Sequence, residues 1–283
     1  MRRFKYLFPV FCLIFLTACG TDTAKDDNTV TNEPPVHQQE ELVFEAPVYI
    51  FENFTKSDSF VREDTGEESA VYSYSLPSMS IANEKSVSNE DRELALRNVE
   101  AFNRRMEEIM AELVAFGKQV LEEQKFLVET ENVPFAVCDE VVGSTIVTGQ
   151  IVSVVARCYY YGGGAHPNTY TVTHLFDLSV GQFIDPTQIG DDPESFRIGA
   201  AELLIQQAES MGEEFTSGLW ADYREVISRW NETSVYFTEN GMTVFFSAYE
   251  LGPYAMGPVE LVLSYDELTN LLGEGGLAHL GIK

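Results

Sequence analysis

The chain has 283 residues and a formal net charge of −27, with 45 acidic against 18 basic side chains, and 45% of its residues are hydrophobic. So acidic a surface repels nucleic acid and anionic lipid headgroups and attracts cationic partners over a long range. Solubility alone is the other explanation of the charge. The apolar fraction is large enough to bury a core, and the length suggests one or two domains.

The first twenty residues read as an export signal that ends at a lipid-attachment site. Three basic residues precede an apolar run over residues 7–16, and the sequence LTAC follows at 16–19. This order is typical of a secretory signal, and the cysteine at the cleavage point indicates a bacterial lipoprotein. An ordinary signal with an incidental cysteine is the alternative. A membrane-spanning helix fits less well, because the apolar run is too short to cross a bilayer.

We therefore expect residues 1–18 to be removed and Cys19 to carry a diacylglycerol. Two acyl chains would hold the protein stably in the lipid bilayer, at the extracytoplasmic face of the cell membrane. Cleavage removes three basic residues and no acidic one, which leaves 15 basic against 45 acidic residues and a charge of −30. Residues 19–41 are polar and contain two consecutive prolines, a composition that predicts a flexible tether.

Folded sequence begins near residue 42, where strands are predicted at 43–54 and 70–76 on either side of an acidic loop. A helix should follow from Ser88, since Asp91 stands three residues on as in a capping box. Its apolar residues recur at steps of three and four, which indicates one buried stripe: Ala95, Val99, Phe102, Met106, Ile109, Leu113, Phe116 and Val120. A coiled coil would show the same spacing. We favour a helix lying on a sheet, because strands flank it and Gly117 interrupts the edge of the stripe.

Two β-rich runs, 135–146 and 150–161, flank a short loop at residues 147–149 and predict a hairpin. If the loop has three residues, Cys138 lies directly opposite Cys158, at a spacing that a disulfide accepts. A bulge at Gly143 would shift this register by one residue. An exported protein can keep such a bond, so we expect a structural disulfide rather than a catalytic thiol.

The second half of the sequence also predicts both strands and helices. A strand is expected at 169–178, a helix from Pro193 to Gly212, and a short helix at 220–230. A hairpin over 234–238 and 242–248, a strand at 259–264 and a closing helix at 266–272 follow. The prediction is an α+β fold with antiparallel sheets, in two domains at residues 42–178 and 179–283. The first holds the long amphipathic helix, and the second holds two to three helices and the hairpin.

Three segments resemble a known family. They are YYYGGGAHPN at 159–168, the strand and turn FDLSVGQ at 176–182, and AYELGPYAMGP at 248–258. They are similar, in order, to motifs of paired extracytoplasmic domains found in PdaC-like peptidoglycan deacetylases and in RsiV-like anti-sigma factors that sense lysozyme. The similarity extends over about residues 44–270.

The resemblance implies a module that engages lysozyme or lies beside cell-wall glycan. It does not carry over deacetylation or sigma-factor signalling, because neither a catalytic domain nor a cytoplasmic helical segment is recognisable in this sequence. The candidate binding residues lie in the first and third motifs: Tyr161, Gly163, Gly164, His166, Tyr249 and Tyr254. A structural, hydrogen-bonded histidine and half-buried sheet tyrosines are the alternative.

The sequence offers little for catalysis. The glycine run lacks the lysine and spacing of a phosphate-binding loop, and it is most simply a loop that needs positive φ angles and close backbone approach. No nucleophile-elbow motif and no metal-ligand spacing occur, so we expect no cofactor, metal or catalytic residue. Paired carboxylates remain open, since 45 acidic residues always offer pairs. Two hypotheses follow: a non-catalytic binding module for a cationic, lysozyme-like protein, or a module that binds or processes glycan.

Overall fold

A long helix lies across one face of a six-stranded sheet and defines the first half of the fold. The computed structural model describes residues 44–133 and 135–282, so the expected signal, Cys19 and the tether lie outside the described residues. The strands follow one another across the sheet in chain order. They are β1 (Tyr49–Val61), β2 (Glu68–Ile81), β3 (Val137–Thr148), β4 (Ile151–Tyr161), β5 (Asn168–Asp177) and β6 (Gln182–Ile184).

The helix α1 (Asn89–Glu131) connects β2 to β3, which is why these two strands are parallel whereas all other neighbours are antiparallel. A parallel pair needs a long crossover, and a helix of this length supplies it. The side chain of Ser88 accepts a hydrogen bond from the backbone N–H of Asp91, so the predicted start of the helix is confirmed.

The helix packs on the sheet, as predicted, but the buried stripe differs from the expected one. Phe102 and Met106 are fully buried, whereas Phe116 is exposed. Gly117 is buried instead, directly against Tyr72 and Tyr74 of β2. Large rings on the sheet therefore take the space that an apolar helix residue would otherwise fill.

The second half contains a three-stranded antiparallel sheet and four α-helices. The strands are β7 (Ser234–Thr238), β8 (Gly241–Phe246) and β9 (Val259–Ser264). The helices are α2 (Pro193–Ser210), α3 (Glu213–Thr216), α4 (Tyr223–Ser228) and α5 (Tyr265–His279). Their core is built around Trp230, Phe196 and Leu204, all fully buried. The fold is thus α+β with a mainly antiparallel first sheet, as the sequence predicts.

Strand β7 joins the outer face of the first sheet, opposite to α1. Ser234 Oγ donates to the carbonyl of Thr171 at 2.5 Å, and the N–H of Val235 donates to Thr173 Oγ1 at 2.8 Å. The boundary that we placed after residue 178 falls between β5 and β6, two paired strands of one sheet. The division into two domains stays a prediction.

The predicted disulfide between Cys138 and Cys158 is wrong. The turn of the β3–β4 hairpin has two residues, with Gly149 at φ +59°, so Thr148 pairs with Ile151. Cys158 consequently lies opposite Val141, and Cys138 lies opposite Tyr161. An offset of three residues separates the cysteines by roughly 10 Å along the strand and puts them on opposite faces, beyond the reach of a disulfide. Both are free thiols.

None of the helices formed by residues 44–133 and 135–282 combines the length and the apolar character that crossing a membrane requires.

Candidate functional site

Two loops from the two halves of the fold meet and bring three predicted site residues together. The first loop, residues 162–167, connects β4 to β5 and carries His166; the second, residues 247–258, connects β8 to β9 and carries Tyr249 and Tyr254. The imidazole of His166 stacks on the ring of Tyr254, with centroids 3.7 Å apart and planes 16° from parallel. We call these three side chains the aromatic cluster.

Hydrogen bonds fix the orientation of the rings. Nδ1 of His166 lies 3.0 Å from the carbonyl oxygen of Pro167, and Nε2 lies 3.3 Å from the hydroxyl of Tyr249. The hydroxyl of Tyr254 donates to the same Pro167 carbonyl at 3.2 Å. A carbonyl oxygen can only accept, so Nδ1 is the donor in the contact with Pro167. His166 therefore holds the two loops together while its ring stays at the surface.

The backbone of Tyr249 is held in an unusual conformation. Its φ of +76° lies in the left-handed region, which a residue with a large side chain rarely adopts. The indole N–H of Trp220 donates to the Tyr249 carbonyl at 3.2 Å, and the backbone N–H of Trp220 donates to the Leu251 carbonyl at 2.8 Å. Half of the Tyr249 side chain (51%) and 42% of Trp220 remain exposed. Such strain at an exposed ring is characteristic of binding and active sites.

Glu250 stabilises the same turn through hydrogen bonds. Its carboxylate accepts a hydrogen bond from the backbone N–H of Ser247 and a weaker one from the hydroxyl of Thr233 at 3.4 Å. Burial raises the pKa of this carboxyl above its usual value. Its role is to close the loop that presents Tyr249.

Of the two predicted glycines, only Gly163 has the conformation that requires one. Its φ is +85°, and a Cβ atom there would lie 2.2 Å from the ring of Phe135. Gly164 has no positive φ, and a Cβ there would make only an ordinary contact with the His166 carbonyl oxygen at 4.0 Å. The positive-φ and close-approach interpretation of the loop thus applies to Gly163, which turns the chain toward His166.

Tyr161 lies at the end of β4, opposite Cys138, and is half-buried. It makes no ring contact with the aromatic cluster among the described residues. Trp220 is a residue that sequence reasoning missed: the predicted short helix at 220–230 includes it, whereas α4 begins at Tyr223 and the indole is exposed beside Tyr249. No local pattern indicates this, because the contact spans 29 residues.

Within the described residues, no group of three or more His, Cys, Asp and Glu side chains is arranged to hold a metal ion. The partners of His166 are a carbonyl and a tyrosine hydroxyl. The cluster therefore offers flat rings, hydroxyl groups and an imidazole for contact with a ligand.

Residues 207–266 match the family model described as "Protein of unknown function (DUF3298)". The matched segment contains Tyr249, Tyr254 and Trp220, whereas His166 lies before it. The aromatic cluster thus combines residues of the matched segment with one residue of the preceding sheet. No curated protein matches the sequence.

Solved structures extend the likeness to most of the chain. A member of the DUF3298 family from Bacteroides fragilis NCTC 9343 superimposes with a TM-score of 0.59 and 14% identity, covering 83% of this chain and 98% of that one. A DUF3298 family protein from Pseudomonas aeruginosa PAO1 gives a TM-score of 0.49 at 14% identity, with coverages of 81% and 96%. At such identities the first likeness shows a shared fold.

Proposed function

We propose that this chain is a lipoprotein anchored in the cell membrane through Cys19, at the extracytoplasmic face, and that its folded part is a non-catalytic binding module for a cationic protein of the lysozyme type. The aromatic cluster is the proposed contact surface. The resemblance to PdaC-like and RsiV-like domains supports the partner class.

The observation that carries the proposal is the exposure of Tyr249 within an immobilised cluster. Its backbone is bonded by Trp220 and its hydroxyl by His166, so little side-chain freedom is lost when a partner covers the ring. Rigid tyrosine and tryptophan side chains at the centre of an interface typically contribute most of its binding energy. A net charge of −27 adds long-range attraction for a cationic partner.

Calorimetry of the full chain with hen lysozyme tests the proposal. We expect binding at about 10 mM salt, where the Debye length is about 30 Å, and weaker binding at about 0.15 M. Tyr249→Ala should weaken the affinity at least about tenfold, as loss of a central interface aromatic does. Phe126→Ala is the matched control, because Phe126 is also an exposed ring (61%), on α1.

Absence of binding at low salt, or an equal loss in both variants, would refute the proposal. Retention of the chain on purified sacculi at high salt, abolished by Tyr249→Ala, would instead favour the glycan-binding hypothesis. Release of acetate or sugar from the sacculi would show a glycan-processing enzyme.

A further inference from the structure

A second concave site lies on the outer face of the first sheet, away from α1. It is a groove of about 420 Å³ on β3, β4 and β5, and Phe245 of the small sheet forms its wall. This volume is within the range of small-ligand sites. The side chains that point into it belong to alternate strand positions: Glu140, Val142, Arg157, Tyr159, Thr169 and Thr171.

Arg157 is exceptional in this acidic chain. Among the nine arginines of the described residues, seven have a carboxylate within 4.0 Å. Within the same residues Arg104 and Arg157 have none, and only Arg157 lies in the groove. Glu140 on β3 is the diagonal neighbour of Arg157 on β4, and strand geometry puts their Cα atoms roughly 7–8 Å apart. The guanidinium is thus available to an anionic ligand, with which it can form two parallel hydrogen bonds.

The other side chains select among carboxylate ligands. Thr169 and Thr171 lie two residues apart on one face of β5, and neither hydroxyl has a partner among the described residues. Tyr159, opposite Glu140, exposes 36% of its surface. An aromatic face beside hydroxyl and carboxylate groups suits a ligand rich in hydroxyls.

Two competing ligand classes fit less well. Glu140 would repel a doubly charged phosphate more strongly than a singly charged carboxylate. A single arginine cannot balance the two negative charges of the phosphate. An extended peptide would bind by adding a strand, but β4, the floor of the groove, is paired on both sides along its length. From these observations we infer that the groove binds a carboxylate-bearing saccharide, with its carboxylate on Arg157 and a sugar ring on Tyr159.

Calorimetry of the full chain at about 0.15 M salt, where the chain's overall repulsion of anions is largely screened, tests this inference. The probes are a hyaluronan tetrasaccharide, which carries carboxylates, and chitotetraose, a neutral chain of equal length. We expect the acidic sugar to bind at least about tenfold more tightly, the effect of one charged hydrogen-bonded pair. Arg157→Gln should abolish this preference, and Arg104→Gln should leave it unchanged.

Equal affinities for the two sugars, no heat with either, or the same loss in Arg104→Gln would overturn the inference. Tetraglutamate that binds as tightly as the acidic sugar would also overturn it, since the groove would then recognise an acidic peptide. Thermal melting confirms that each variant is folded. Arg157→Gln should still bind lysozyme like the wild type, so failure here is distinct from failure of the proposed function.

Discussion

The hydroxyl of Tyr249 lies 3.3 Å from Nε2 of His166, although 83 residues separate them in the chain. The first belongs to the loop after β8 and the second to the loop after β4, so the pair forms only when the two sheets are docked. The proposed contact surface is therefore a product of tertiary structure. A change in how the two halves pack would therefore disrupt this surface.

Tyr249→Gly should separate binding from stability. Glycine adopts the left-handed conformation without strain, which stabilises the folded state by about 1 kcal/mol or more. The greater conformational entropy of glycine in the unfolded chain offsets about 0.5–1 kcal/mol of this gain. We expect the free energy of unfolding in urea to change by less than about 1 kcal/mol, while lysozyme affinity falls as in Tyr249→Ala. A large loss of stability would show that the ring supports the fold rather than a ligand.

Gly163→Ala should destabilise the protein by about 2 kcal/mol or more, because it combines a positive φ with a Cβ that overlaps the Phe135 ring. Gly164→Ala is the matched control one residue away, where neither condition holds, and we expect it to be nearly neutral. Urea denaturation of both variants measures the difference. Similar effects at the two positions would contradict this description of the loop.

Cys138 and Cys158 should both be reduced in the purified protein. Cys138 and Cys158 lie on opposite faces of the sheet, and burial raises the pKa of both thiols, that of Cys158 to about 11. We expect the intact mass to be unchanged by a reductant and alkylation of the folded protein to be slow, slowest at the more buried Cys158. A mass lower by two hydrogens before reduction would show that the two cysteines do form a disulfide.

Sequence reasoning located most elements because their signals are local. The cap at Ser88, Pro193 at the start of α2 and the strand over Val259–Ser264 are all where the pattern places them. The cysteine register failed because a hairpin with two residues in its turn and one with three are nearly indistinguishable in sequence. Which side chains share the surface site depends on contacts between distant loops, so the resemblance supplied His166 and Tyr254 but not Trp220.

The buried carboxyl of Asp139 should make stability depend on pH. It is 4% exposed, accepts a hydrogen bond from the hydroxyl of Tyr74 at 2.5 Å, and has its pKa raised by burial. A raised folded-state pKa means that the native protein holds the proton more tightly than the unfolded chain. The stability that this group contributes is therefore present below its unfolded pKa of about 3.9 and is lost as the pH rises through the folded value.

The asparagine of Asp139→Asn cannot ionise. As the pH rises from about 4 to about 7, the free energy of unfolding of this variant should therefore increase relative to that of the wild type. Urea titrations at both pH values measure the change. Asp64→Asn is the control, because the hydrogen bond from Arg62 lowers the pKa of Asp64; its contribution is lost only below about pH 3.9, so this variant should change little relative to the wild type between about pH 4 and pH 7. A difference for Asp139→Asn that does not vary with pH would contradict the buried, ionisable state.

Gly117→Ala should destabilise α1, the reverse of the usual effect in a helix. Alanine gains about 1 kcal/mol over glycine in helix propensity, but here its Cβ would lie 2.6 Å from the ring of Tyr72 and 2.7 Å from the hydroxyl of Tyr74. The two rings are stacked with centroids 5.0 Å apart, and Tyr74 is bonded to Asp139, so neither can move away easily.

Overpacking of this kind costs about 1–3 kcal/mol, so we expect a net loss of about 1 kcal/mol in urea denaturation. Ala115→Gly, at an exposed position of the same helix, should show the ordinary sign and lose about 1 kcal/mol. Stabilisation by Gly117→Ala would mean that the helix does not touch the sheet at this residue. Gly117 is also the residue that favoured a helix on a sheet over a coiled coil, so the same measurement tests the contact on which the fold of the first half depends.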